Sequence, residues 1–194
     1  MLIDKSYFFG PLSIGQLSEQ AVQDKLNWFI QQFEPKYLEG VLGYAAYKQL
    51  KSDLQLTPVP QRWLDLMSGV EFTDETGLLK KWHGLIDNSD ALASNNSAVY
   101  FKQSPIADYV YYWYQRSQVT TTGGIGESKT DSHNASHSSP RHKMATAWNK
   151  MRDTNLLMYD FLRSRSSVYP EWYNWALTDN SNVHFLKTVN IFNI

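Results

Sequence analysis

The chain has 194 residues, with 18 Lys and Arg against 19 Asp and Glu, which is about one domain of material with almost no net charge. At 42% apolar and 19% charged residues it can bury a core, which excludes wholesale disorder. It has no cysteine, which excludes disulfide scaffolds, thiolate metal sites and cysteine nucleophiles. No apolar run is long enough for a membrane span, and the first ten residues, carrying Asp4 and Lys5, do not read as a secretory signal.

In chain order, Ser18 is a candidate N-cap for a helix over about 18–33, in which Val22, Leu26, Phe29, Ile30 and Phe33 recur at helical spacing. Pro35 suits the first turn of a second helix, whose stripe Leu38, Val41, Leu42, Ala45, Ala46 and Leu50 runs to about 55, before Thr57-Pro58-Val59-Pro60. A shorter third helix follows Pro60, with Trp63, Leu64, Leu66 and Met67, and closes at Gly69. Val70-Glu71-Phe72 and Leu78 to Trp82 flank the turn-like Asp74-Glu75-Thr76-Gly77, predicting a small hairpin. Helical spacing returns from Ser104 through Ile106, Tyr109, Val110 and Trp113 to about Gln118. Residues 119–139 are rich in Gly, Ser and Thr without a stripe and read as a long flexible arm. The longest helix is expected over 140–165 on Met144, Trp148, Met151, Met158 and Leu162. A tail with Tyr169, Trp172, Tyr173 and Trp175 ends in Val183 to Phe192, which is rich in strand formers. The fold class is therefore mainly α: a helical bundle with a small β-hairpin, a long flexible loop and a strand-prone C-terminal tail. The expected division is a helical domain over 1–165 and an aromatic partner-contacting tail over 166–194.

Few residues fall into patterns that carry chemistry. The glycines of Thr122-Gly123-Gly124-Ile125-Gly126 match neither a dinucleotide fingerprint nor a Walker loop, and a helix precedes them where a strand is required. His133, His137 and His142 lie close together, but among Asn, Ser and Pro, as in a solvated loop. Acidic residues such as Asp24, Glu39 and Asp53 occur singly, and no Gly-x-Ser-x-Gly elbow is present. The expectation is a protein without enzymatic activity, cofactor or metal. Arg141, Lys143, Lys150 and Arg152 on the long helix offer a basic face for phosphate, diluted by Asp153 and Asp160. With 7 Trp, 12 Tyr and 9 Phe the chain is 14% aromatic, a composition typical of surfaces buried against partners and equally of an aromatic core. Residues 1–100 hold 8 basic and 12 acidic side chains and residues 101–194 hold 10 and 7, an asymmetry that suits head-to-tail self-association.

The order of motifs adds a resemblance. Leu66-Met67-Ser68-Gly69 leads into a hairpin and Trp82-His83-Gly84-Leu85. The aromatic run Ile106 to Arg116, the stretch Thr120 to Glu127, and a final helix with Lys143 and Ala147-Trp148-Asn149-Lys150-Met151 follow. Over roughly 15–165 this arrangement resembles the head-to-tail connector proteins of tailed phages, of the Bacteroidetes phage type. The resemblance implies a structural virion protein, a neck adaptor made in the host cytoplasm. Copies, commonly twelve, would form a homo-oligomeric ring beneath the portal vertex, touching the portal protein and other neck or tail proteins, with genomic DNA passing non-specifically through the lumen and no membrane involved. The residues expected to contact partners are Thr121, Gly123, Gly124, Gly126, Lys143, Trp148, Phe185, Val189, Ile191 and Phe192; those expected to face DNA are Arg141, Lys150 and Arg152. The strand-prone end is expected to add to a sheet edge of another chain. The alternative is a nucleic-acid-associated packaging or regulatory factor using the basic face of the long helix; a hydrolase on a helical scaffold is the least supported reading.

Overall fold

The structure, a computed structural model, describes residues 1–87, 101–123, 126–129, 140–178 and 181–190. It is mainly helical: α1 (Gln20–Leu42), α2 (Tyr44–Asp53), α3 (Gln61–Ser68), α4 (Pro105–Val119), α5 (Arg141–Ser164) and α6 (Pro170–Thr178), with 3-10 turns at Lys5–Tyr7, Gly10–Leu12 and Ser181–Leu186. Two antiparallel two-stranded ribbons accompany them, β1 (Val70–Thr73) with β2 (Leu79–Trp82), and β3 (Thr120–Gly123) with β4 (Gly126–Lys129). No helix among the described residues is long and apolar enough to cross a membrane.

The centre of the molecule is α4. Every residue from Ser104 to Tyr112 is buried, so this helix is covered all round for two turns. On one side α1 supplies Phe29 against Tyr114 (5.4 Å between ring centroids), Phe33 stacked on Trp113 (5.3 Å) and Tyr37 against Tyr109 (5.5 Å). On the other, Trp148 of α5 meets Tyr112 at 4.8 Å and Tyr109 at 6.2 Å. Such offset and edge-on pairs contribute beyond the area that they bury.

The aromatic stripe explains where the first helices divide. α1 runs unbroken through Pro35, and the break falls at Gly43, where φ is 77°. A proline removes only the donor to the carbonyl four residues earlier, here that of the exposed Gln31, while Phe29, Phe33 and Tyr37 pack on α4 from both sides of it. Glu34 holds the segment before α1 in place: it is buried, and its carboxylate accepts from the Leu2 amide at 2.8 and 2.9 Å and the Ile3 amide at 3.2 Å. Burial pushes its carboxyl up, against the pull of those amides.

The β1–β2 hairpin forms with Val70 opposite Trp82 and Thr73 opposite Leu79. Asp74 organises its turn by accepting from the amides of Thr76 (2.9 Å) and Leu78 (3.0 Å). Lys80 bridges Asp74 at 2.9 Å and Asp160 of α5 at 2.8 Å, and Trp82 stacks on Phe161 at 6.1 Å, so the hairpin lies against the C-terminal half of α5. The chain leaving β2 then crosses the end of α3 at main-chain distance, with Leu85 and Ile86 donating to the carbonyls of Leu66 (3.2 Å) and Met67 (2.9 Å).

Two expectations about the tail change. Residues 166–190, as far as they are described, belong to the same core: Tyr169 and Trp172 are buried, Tyr169 donates to the Arg62 carbonyl at 2.5 Å, and Trp172 donates to the Val41 carbonyl at 3.1 Å. The stretch expected as strand is a 3-10 turn over Ser181–Leu186 followed by residues 187–190 outside any strand; Ile191 and Phe192 lie outside the described residues. The reason is tertiary, since Phe185 is drawn into the aromatic core beside Tyr37 (5.9 Å) and Tyr109 (5.6 Å). Removing 183–194 would therefore also remove a core aromatic. In the expected arm, 119 ends α4, 120–123 and 126–129 form the β3–β4 ribbon, and 124–125 and 130–139 lie outside the described residues.

Gly84 and Gly69 make the crossing at α3 possible. Both have positive φ, 94° and 87°, and a Cβ on either would fall on the main chain of the other segment. Gly84→Ala is expected to lower stability by about 3 kcal/mol, read as a lower urea midpoint with an unchanged denaturant slope.

Candidate functional site

That crossing delivers residues 83–87 to the start of α4, and a cleft of about 960 Å³ opens between them and α5. Ser104 joins the two segments: its hydroxyl donates to the Leu85 carbonyl at 2.6 Å and accepts from the Ile106 amide at 3.2 Å, which caps the first turn of α4. Asp87 closes one end, its carboxylate accepting from the Gln103 amide at 3.1 Å. α5 contributes Thr146, Asn149, Lys150, Asp153, Thr154 and Leu157, positions three and four apart that share one helix face. Lys81 and His83 add to a lining in which polar and charged residues outnumber apolar ones, beside a core of aromatic and aliphatic side chains.

Asp108 is the group that stands out. It lines this cleft, is 1% exposed, and neither carboxylate oxygen has a hydrogen-bond partner among the described residues. Native proteins rarely leave a buried carboxyl unpaired, because the charged form loses its hydration with nothing in exchange. Burial pushes its carboxyl up to about 7, with the Lys150 ammonium pulling the other way. Asp108 is therefore an acid poised to gain or lose a proton near neutrality. The hydroxyls of Ser104, Thr146 and Thr154 in the same cleft donate to the carbonyls of Leu85, His142 and Lys150 and are not activated by a base. The arrangement can hold a donor or cation against Asp108.

A second constellation lies further round α5. Trp148 Nε1 donates to the Lys187 carbonyl (2.9 Å), and Arg152 Nε to the Leu186 carbonyl (3.2 Å). Asn149 both donates to the Val189 carbonyl and accepts from the Val189 amide, each at 2.9 Å. Deeper, Asn155 donates to the Phe185 carbonyl at 3.3 Å and accepts from the Tyr37 hydroxyl at 2.5 Å.

The residues expected from sequence to act on partners separate accordingly. Trp148 and Phe185 are buried inside the chain, and half-buried Val189 is clamped by Asn149, so these three contact the protein's own core. Lys143 is exposed in the first turn of α5. Thr121, Gly123 and Gly126 lie on the β3–β4 ribbon, and Gly124, Ile191 and Phe192 lie outside the described residues. The basic residues do not form one DNA-facing stripe. At about 100° per residue, Lys150 sits half a turn away from Arg141 and Arg152. Lys150 lines the Asp108 cleft, and the Arg152 guanidinium is held by Leu186 and, at 2.5 Å, by Asp153. Asp108, Asn149 and Asn155 escaped sequence reasoning. The signal that points to Asp108 is its uninterrupted apolar setting in Ile106-Ala107-Asp108-Tyr109-Val110, a pattern that buries a residue whichever way it points.

No protein-family model, no curated protein and no solved structure matches the chain.

The raised Asp108 carboxyl fixes a pH dependence. Between the ordinary carboxyl value and about 7 the folded state keeps a proton that the unfolded state has lost, so this group's contribution to stability is largest in acid and falls as pH rises to about 7. Its limiting slope is about 1.4 kcal/mol per pH unit. Asp108→Asn is expected to flatten that fall and to raise the melting temperature at pH 8 relative to the parent; a parallel pH profile in the variant would contradict it.

Proposed function

We propose that the chain is the subunit of a homo-oligomeric ring: a non-enzymatic structural component of a phage neck that joins the portal of the capsid to the tail, with DNA passing through its lumen. The motif order over 15–165 provides the family-level expectation. The observation that carries the reading is the β3–β4 ribbon, which extends from the end of α4 with both outer edges unpaired among the described residues. A two-stranded ribbon is marginal alone, and an unpaired edge is a template for another chain.

Two unlike ends of the subunit support the same reading. Tyr114, next to the ribbon, packs on Phe29, whose neighbour Trp28 is 54% exposed. At the hairpin anchored to the C-terminal half of α5, Leu78 and Leu79 are 60% and 66% exposed. Exposed apolar surfaces of different composition at two ends suit heterologous contacts, which close into a ring when the rotation allows. The alternative, a nucleic-acid-associated packaging or regulatory factor, receives less support because the basic residues of α5 are divided between two faces.

The test is the mass of the purified protein in solution, alone and co-expressed with a tailed-phage portal protein from the same genome, at low and high salt. A discrete ring, or a fixed high number of copies on the portal, is expected at both salt concentrations. A monomer indifferent to the portal and retained on DNA only at low salt would transfer the assignment to the nucleic-acid reading.

A further inference from the structure

We infer that the cleft between residues 83–87, the start of α4 and α5 is a binding site for an organic cation, the ammonium or guanidinium end of an alkyl chain, which Asp108 receives at its floor. The inference goes beyond the ring reading and does not rest on it, because every residue it uses belongs to one subunit.

Asp108 belongs to the first turn of α4, where a carboxylate ordinarily turns back onto free amides. Here it does not. Ser104 already caps that turn, its hydroxyl accepting from the Ile106 amide at 3.2 Å and its carbonyl from the Asp108 amide at 3.1 Å, and both Asp108 oxygens stay without a partner among the described residues. A buried carboxyl in that state is satisfied only by incoming donors, and donors that carry positive charge compensate it most fully. The hydroxyls around it do not supply them. Those of Ser104, Thr146 and Thr154 are committed to the carbonyls of Leu85 (2.6 Å), His142 (2.9 Å) and Lys150 (3.0 Å), so toward a further partner each can only accept. A ligand that matches such a wall brings several N–H donors.

Charge and size narrow the class. The half-buried Lys150 ammonium is near enough to pull the Asp108 carboxyl down, yet it bonds neither oxygen, which leaves both open to a second cation. An anion drawn to Lys150 would face Asp87, Asp108 and Asp153 across the same cleft. A metal ion takes several carboxylate or imidazole ligands together, and no such group of three is found among the described residues. Ile86 and Leu157, half-buried in the same lining, offer apolar surface to an alkyl stem, and a cleft of about 960 Å³ is of the size that takes small ligands.

Binding is coupled to a proton. Burial holds the Asp108 carboxyl up at about 7, so below that pH an incoming cation must expel its proton, and affinity falls about tenfold per pH unit. The charged and titratable groups around it are Lys150 from α5, Tyr37 from α1, and His83, Asp87 and Asp153 in the cleft lining. Burial, with Tyr159 and Asp108 adding to it, pushes the Tyr37 hydroxyl well up, so Tyr37 stays neutral throughout. Histidine changes charge in the same range as Asp108, which makes His83→Gln the necessary control.

The experiment is calorimetric titration of the full chain from about pH 5.5 to about pH 8. The probes are agmatine and putrescine as free cations, the peptides acetyl-Gly-Arg-Gly-amide and acetyl-Gly-Lys-Gly-amide as side chains, and inorganic phosphate as the anion. Saturable binding of at least one cation is expected, tightening as pH rises to about 7 and weakened about tenfold or more in Asp108→Asn. His83→Gln is expected to keep that pH dependence, and Lys150→Met to tighten binding by removing the competing ammonium. Binding of the free amines assigns the site to a small molecule, and binding of the peptides alone assigns it to a basic side chain of a partner; both support the cation site. No cation binding by the folded parent, or equal binding by a folded Asp108→Asn, would overturn it. So would phosphate binding that Lys150→Met abolishes and Asp108→Asn leaves intact. Should Asp108→Asn fail to fold, Lys150→Met decides, since weaker cation binding in that variant would overturn the proposal as well.

Discussion

A helix covered on every side needs neighbours on every side, and the rest of this fold follows from satisfying α4. Its apolar and aromatic residues from Ser104 to Tyr112 present no polar face to water. α1 and α5 flank it with rings, residues 83–87 close its start through Ser104, and Phe185 fills what remains beside Tyr109. The elements that look peripheral in the chain, the first residues held by Glu34 and the tail held by α5, are the ones that complete this enclosure.

The same enclosure accounts for the one group that fits its surroundings worst. Asp108 sits inside the continuously buried stretch Ser104 to Tyr112, with both oxygens unpartnered among the described residues. It stands in a cleft that Lys81, His83, Asp87, Lys150 and Asp153 also line. Buried polar groups without partners occur where a protein gives up stability for another purpose, and here the cost varies with pH near neutrality. The cleft and the face that holds residues 185–189 meet along α5 at Asn149, so α5 is at once a wall of the core, a wall of the cleft and the support for the tail's backbone.

Much of the fold is legible in the sequence, and the failures share one cause. α3 closing at Gly69, the hairpin around Asp74 and the span of α5 follow from local signals: a left-handed glycine, an Asx turn and a long stripe. By local signals Pro35 is a first-turn residue, but the rings packing on α4 carry the helix through it. Val183 to Phe192 has strand-forming residues, yet no strand edge meets the described part; Phe185 finds a hole at Gly40 and fixes a tight turn instead. Trp148 and Phe185, rich in the signals of partner surfaces, are used internally, because large aromatics serve core and interface equally well. The clamp escaped notice because an asparagine that binds main chain from a distant segment has no sequence signature.

The proposed ring would complete backbone pairing that the ribbon leaves open among the described residues, and the outer amides of the β3–β4 ribbon are where this can be read most directly. Hydrogen exchange of peptides covering 120–129 should be compared between free chain and purified ring. Rapid exchange of outward amides is expected in the free chain and strong protection in the ring, with the amides of α4 slow in both. Unchanged exchange across the ribbon in a ring that does form would contradict completion by a neighbour.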